Sequence, residues 1–199
     1  MTTFRLVAAV LSAAAITACG TQPPALVQQA APTTTTTADV PGADPVAWFE
    51  AYCGPMGVTQ TARLQLQGKA QEGMEAVKEA VVAWTAGAAV SDRHMADELE
   101  KLGPLGSDVR SLHERLVSAL RNEAKTFDDS SARLRAQAAD DKFPERYEQI
   151  MVGSSGDAVG TLFKQILDTS PKYAEAFRAN EVCKAWQGLA KQSGGNWSG

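Results

Sequence analysis

The sequence predicts an all-α fold, an antiparallel bundle of four to six helices within residues 44–192. Apolar residues recur there at intervals of three and four, which is the spacing that places them on one face of a helix. Short segments containing Gly or Pro separate these stretches and favour antiparallel neighbours. No segment alternates β-branched and polar residues between hairpin turns, so nothing predicts a β-sheet.

The first predicted helix begins at a capping pair. Asp44 is a typical N-cap residue, and Pro45 is favoured in a first helical turn. Gly54 and Pro55 predict that this helix ends there. One face of it carries the apolar residues Val46, Phe49 and either Tyr52 or Cys53.

A second helical stretch is predicted from about Thr59. Gly87 and the cap signal at Asp92 predict a break inside it, and the pattern resumes with Met95 before the Gly-Pro pair at 103–104 ends it. The inward stripe of its first part is Leu66, Ala70, Met74, Val77, Val81, Trp84 and Ala88.

A third helix of some thirty residues is predicted from Ser107, because no Gly or Pro occurs between that residue and Phe143. Pro144 is expected to end or kink it. Its inward positions are Leu112, Leu116, Leu120, Ala124, Phe127, Leu134 and Ala138.

The remaining helices are shorter. A helix is predicted over residues 145–151, a turn at 153–156, another helix after it, and a last helix opened by Ser170 and Pro171 with a kink near Asn180. Their apolar positions are Val159, Leu162, Phe163, Ile166, Tyr173, Phe177, Val182, Trp186 and Leu189.

Residues 1–18 predict an export signal. Arg5 precedes an apolar run whose helical length of about 16 Å is half the thickness of a bilayer core. The run ends in Ile16-Thr17-Ala18-Cys19, which resembles the lipobox of bacterial lipoprotein precursors at all four positions. The resemblance implies cleavage between Ala18 and Cys19 and attachment of diacylglycerol and palmitate-like acyl chains to Cys19. The alternative is a plain secretory signal with a chance cysteine.

The same resemblance implies a location. Two or more acyl chains on Cys19 would anchor the protein stably at the extracytoplasmic face of the cell membrane. Residues 19–43 are rich in Pro and Thr and predict a flexible linker with a reach of about 25 to 30 Å. Residues 193–199 predict a disordered tail. The alanine-rich composition is similar to that of small helical lipoproteins of mycobacteria and related actinobacteria.

Two cysteines remain once Cys19 is set aside. An even remainder in an exported protein favours one disulfide between Cys53 and Cys183. It would tie the two ends of the bundle together, and the chain-entropy model gives it on the order of 5 kcal/mol. The alternative is two separately buried thiols.

Composition and motifs exclude several functions. The net charge of −4 gives no basic surface, so nucleic acid is not expected as a partner. His94 has acidic neighbours, but His113 is not in matching register and no Glu-x-x-His occurs, so no metal site and no cofactor are expected. No Gly-x-Ser-x-Gly or Ser-x-x-Lys motif occurs, so the chain is not expected to be an enzyme.

The sequence therefore favours a non-enzymatic interaction or scaffold module, with an unknown envelope protein as partner and an exposed apolar groove as its contact surface. The alternative is a carrier of a lipid or a porphyrin, held in a cavity between helices near Trp84 and Trp186. For these two tryptophans, packing in the core is the favoured interpretation.

Overall fold

A computed structural model describes residues 42–152 and 157–192. Within these residues the chain forms seven α-helices and no strand, which confirms the predicted all-α class. The predictions of the signal, the lipobox, most of the linker, the turn at 153–156 and the tail fall outside the described residues. The helices are α1 (Pro45–Leu66), α2 (Met74–Leu102), α3 (Arg110–Arg135), α4 (Phe143–Met151), α5 (Asp157–Thr169), α6 (Pro171–Ala179) and α7 (Glu181–Gln192).

The start of α1 is as predicted, but its apolar face is shifted. The Asp44 carboxylate accepts a hydrogen bond from the backbone N–H of Val46 at 3.2 Å, and Pro45 lies in the first turn. Val46 is 57% exposed, contrary to the prediction, and Trp48 is fully buried instead. Phe49 and the residues one turn after it are buried as expected.

The predicted end of α1 at Gly54 and Pro55 is wrong, because the helix continues to Leu66. A proline inside a helix costs about 3 kcal/mol, and contacts with the rest of the bundle offset this cost. Met56 packs on the main core. The indole N–H of Trp84 in α2 donates to the carbonyl oxygen of Thr59 at 3.2 Å.

The second predicted stretch differs at its start and in its middle. A short 3-10 helix, Lys69–Glu72, separates α1 from α2, and Gly73 precedes α2 with a φ of 100° that favours glycine. Leu66 and Ala70 therefore do not belong to the helix that carries Met74. The predicted break near Gly87 is wrong, since α2 runs without interruption for 29 residues.

The third predicted helix is shorter than predicted. After a 3-10 turn at Ser107–Val109, α3 ends at Arg135, and Ala138 is exposed rather than inward. Arg146 closes the intervening turn by donating to the Ala138 carbonyl at 2.7 Å and to the Asp140 carboxylate at 2.6 Å. The separation of α6 from α7 at Asn180, where a kink within one helix was predicted, brings the number of α-helices in the described residues to seven, above the predicted four to six.

The longest helices, α2 and α3, form an antiparallel pair. Arg93 of α2 is paired with Asp128 of α3, and Glu100 of α2 with Arg121 of α3, so the two helices run in opposite directions. Helix α1 packs on α2 and α7, and α5 packs on α3. The bundle therefore has α1 between α2 and α7.

The main core lies near the N-terminal half of α1 and is largely aromatic. Tyr52 and Phe163 are stacked with ring centroids 3.9 Å apart, and Trp48 lies parallel to Phe163 at 6.3 Å. The predicted disulfide is confirmed: the sulfur atoms of Cys53 and Cys183 are 2.05 Å apart and their Cα atoms 5.0 Å apart. It joins α1 to α7 within this core, where both cysteines are fully buried. A smaller cluster packs α4 against the far end of the α2–α3 pair, with Val81, Leu134, Phe143 and Ile150 at its centre.

Candidate functional site

Two apolar grooves run along the C-terminal half of α1. The α7 groove, between α1 and α7, has a volume of about 490 Å³, and the α2 groove, between α1 and α2, has about 270 Å³. Val58, Ala62 and Gln65 line both of them. The α7 groove is completed by Cys53, Gly54, Gly57, Thr61, Val182, Ala185, Trp186 and Leu189.

Short side chains on α1 create these grooves. Gly54 and Gly57 have no side chain and Ala62 has only a methyl group, so little projects from α1 at these positions. None of residues 54–66 is buried. Val58 stands between the two grooves and is 67% exposed. A single exposed valine is ordinary, but one that joins two apolar grooves makes a continuous apolar surface, which is typical of an interaction site.

The two predicted cavity tryptophans lie in different grooves. Trp186 lines the α7 groove but is only 3% exposed, with its ring edge-on to Tyr52 at 6.0 Å and to Phe163 at 6.4 Å. Trp84 lines the α2 groove, half-buried, and is edge-on to Phe127 at 6.1 Å. The structure does not bring the two indoles together around one space.

A buried acid was missed by the sequence reasoning, which interpreted Asp92 as a cap. Asp92 is 7% exposed, and its Oδ2 atom and the hydroxyl of Tyr52 have no hydrogen-bond partner. Burial, with the nearby carboxylate of Glu123, raises the pKa of Asp92 to about 8. The sequence did carry a signal for the burial of Asp92, because position 92 lies one turn from Ala88 and from Ala96, which are both buried on α2.

A third concavity, which we call the polar groove, lies between α2 and α3. It has a volume of about 460 Å³, and Glu100, His113, Glu114, Ser118, Arg121 and Asn122 supply its polar side chains. Arg121 donates to Glu100 at 2.7 and 3.1 Å and to Asp97 at 3.3 Å. The groove therefore has a fixed guanidinium and two glutamates on its wall.

His113 forms the most buried part of the polar groove, at 4% exposed. Its Nδ1 accepts a hydrogen bond from the indole N–H of Trp48 at 3.4 Å. Burial lowers the pKa of the imidazole, while Glu114 and Glu100 oppose that change. The other histidine, His94, is exposed on α2.

Ala18 and Cys19 lie outside the described residues. Within residues 42–152 and 157–192, no group of three His, Cys, Asp or Glu side chains is arranged to hold a metal ion. Among those same residues, no helix has the length and apolar character needed to cross a membrane.

Comparison of the chain with protein-family models, with curated proteins and with solved structures finds no match.

Proposed function

We propose that this protein is a lipid-anchored lipoprotein of the cell envelope, held on the extracytoplasmic face of the membrane through Cys19. We further propose that its helical bundle is a non-enzymatic interaction module whose contact surface is the pair of apolar grooves along α1. The observation that carries the second part is Val58, an exposed apolar residue common to both grooves.

The grooves suit an apolar helix from an envelope protein. Glycines at positions 54 and 57 allow another backbone to approach α1 closely, and Val58 would enter a partner's surface from between them. Helix-in-groove binding needs a row of apolar contacts along one helix, and the α7 groove supplies them from Val182 to Leu189. Burial of such a surface is favourable by about 25 cal/mol per Å².

The anchor is tested by the intact mass of the protein purified from its own membrane fraction. We expect a chain that begins at Cys19 and is heavier by two or three acyl chains, with two further thiols that react with iodoacetamide only after reduction. A chain that begins at Met1 and carries no acyl group would contradict the anchor.

The interaction surface is tested by site-specific photocrosslinking in intact cells. A benzoylphenylalanine at position 58 is expected to form a discrete protein adduct, and the same residue at position 90 is not. Val90 is the matched control, since it is 60% exposed on α2 and lines neither groove. We also place the probe at Gln65 and expect Val58→Glu to abolish that adduct. Equal adducts at positions 58 and 90 would contradict the proposal.

The alternative function, a carrier of a lipid or porphyrin, has one observation in its favour, which is that each groove contains one tryptophan. The tight packing of Trp186 against other aromatic rings favours the interaction module. A small molecule that copurifies with the protein and is lost in Val58→Glu, with no crosslinked protein, would replace the first function by the second.

A further inference from the structure

We propose that the polar groove binds a small protonated amine that also carries an oxygen acceptor, as an amino sugar or an amino alcohol does. The groove lies between α2 and α3, and none of its lining residues belongs to the apolar grooves along α1. This inference therefore stands independently of the proposed function.

The position of the hydrogen atom on His113 decides what a ligand must offer to this side chain. An indole nitrogen can only donate, so the Nδ1 that accepts from Trp48 must present its lone pair. A neutral imidazole with a free Nδ1 carries its hydrogen on Nε2. A ligand in the groove therefore meets a fixed N–H donor and must offer an acceptor atom to it. The Nε2 atom that carries this hydrogen has no free lone pair with which to bind a metal ion.

The balance of charge in the polar groove indicates the sign of the ligand's charge. Two glutamates and one arginine line the groove, and Asp97 lies against the same arginine. Arg121 already contacts Glu100 and Asp97, and these two carboxylates more than offset its single positive charge. Glu114 is exposed, and none of the ion pairs among the described residues includes it. The groove therefore favours a cation, with Glu114 as its carboxylate partner.

The order of residues on α3 places these groups in two adjacent rows. His113, Val117 and Arg121 are each one turn apart, and so are Glu114, Ser118 and Asn122 in the next row. A ligand whose ammonium group binds Glu114 would present its oxygen to His113, which lines the same groove. Ser118 and Asn122 continue the row and can bind further hydroxyl groups. The volume of 460 Å³ lies within the range of about 300 to 1,000 Å³ that is usual for small-molecule sites.

Calorimetric titration of the full-length protein with glucosamine at pH 7 tests the proposal. We expect saturable binding, with glucose, which lacks the ammonium group, binding at least tenfold more weakly. Glu114→Gln is expected to weaken glucosamine binding at least tenfold without changing the melting temperature. Glu175→Gln is the matched control, because Glu175 is an exposed glutamate on α6 and should leave binding unchanged.

Nitrogen NMR of the imidazole tests the role of His113 directly, in a His94→Gln background that leaves one histidine signal. The free protein should show the hydrogen on Nε2, and glucosamine should shift that nitrogen far more than Nδ1. The proposal is overturned if glucosamine does not saturate, if glucose or Glu114→Gln binds equally well, or if the hydrogen is on Nδ1.

Discussion

The indole of Trp48 and the imidazole of His113 are joined by a hydrogen bond of 3.4 Å between residues 65 positions apart in the chain. Both rings are buried, and they connect α1 to α3 through the aromatic core. The bond requires a lone pair on Nδ1, which is lost when the imidazole gains a second proton. The protonation of one side chain is thus linked to the packing of two helices.

Protonation of His113 should destabilise the protein in mild acid. Since burial lowers the pKa of this imidazole in the folded state, the unfolded chain binds more protons just below pH 6.5. The free energy of unfolding should therefore fall as the pH drops from 7.5 to 5, relative to His113→Gln, whose side-chain oxygen can still accept from Trp48. Urea denaturation at several pH values measures this difference. An identical pH profile in the two proteins would contradict it, and His94→Gln should match the wild type.

Ionisation of Asp92 should act in the opposite direction. The folded chain keeps this proton up to a pH of about 8, whereas the unfolded chain loses it near 3.8, so the folded state binds more protons between these values. The free energy of unfolding should fall as pH rises through this window, by at most about 1.4 kcal/mol per pH unit.

Asp92→Asn removes that dependence and should stabilise the protein more at pH 8.5 than at pH 5.5. Denaturation of this variant beside Asp141→Asn, which changes an exposed aspartate on the turn before α4, gives the comparison. A stabilisation that is the same at both pH values would show that Asp92 does not hold its proton in the folded chain.

Loss of the disulfide should cost about 2 to 5 kcal/mol of the free energy of unfolding. Cys53 and Cys183 join α1 to α7 across 130 positions of sequence, so their removal frees the ends of the bundle from each other. Denaturation of the double variant Cys53→Ala and Cys183→Ala measures the loss. Reduction of the wild type with dithiothreitol should reproduce it, and an unchanged midpoint after full reduction would refute it.

Replacement of Pro55 by alanine should stabilise α1 by about 1 to 3 kcal/mol. The proline removes one backbone hydrogen bond from the helix interior and its ring crowds the preceding turn. Hydrogen exchange of the amides in residues 56–66 should also slow, since the second half of α1 becomes better connected to the first. Pro171→Ala is the matched control, because that proline lies in the first turn of α6, where no hydrogen bond is lost. An equal gain from both variants would contradict the explanation.

Local signals predicted most of the helices. The Asp44 cap and the Pro171 start stand where the sequence placed them, because each depends on the chemistry of one or two neighbouring residues. The errors fall where a contact beyond the next helical turn decides. Helix α1 passes Pro55 because it is supported from α2. The predicted third helix ends early, at Arg135, and Arg146 closes the turn that follows it.

The candidate sites show the same division. The cysteine count predicted the disulfide, because both the even number of remaining cysteines and the expectation of export come from the sequence alone. The grooves around Val58 depend on how far α7 and α2 stand from α1, and the polar groove depends on the crossing of α2 with α3. Neither the distances between these helices nor the way they cross is encoded in the spacing of apolar residues along one helix.

The sequence by itself predicted that the folded region is helical and that Cys53 and Cys183 form a disulfide, and it determined that the first nineteen residues carry a lipobox-like pattern. These follow from periodicity, parity and a short motif, which are properties of neighbours in the chain. Only the tertiary structure decided that Asp92 is buried, that Trp84 and Trp186 lie in separate grooves, and that His113 meets Trp48. The physical reason is that burial and hydrogen bonding depend on which helices pack together, and the packing of one helix is set by all the others.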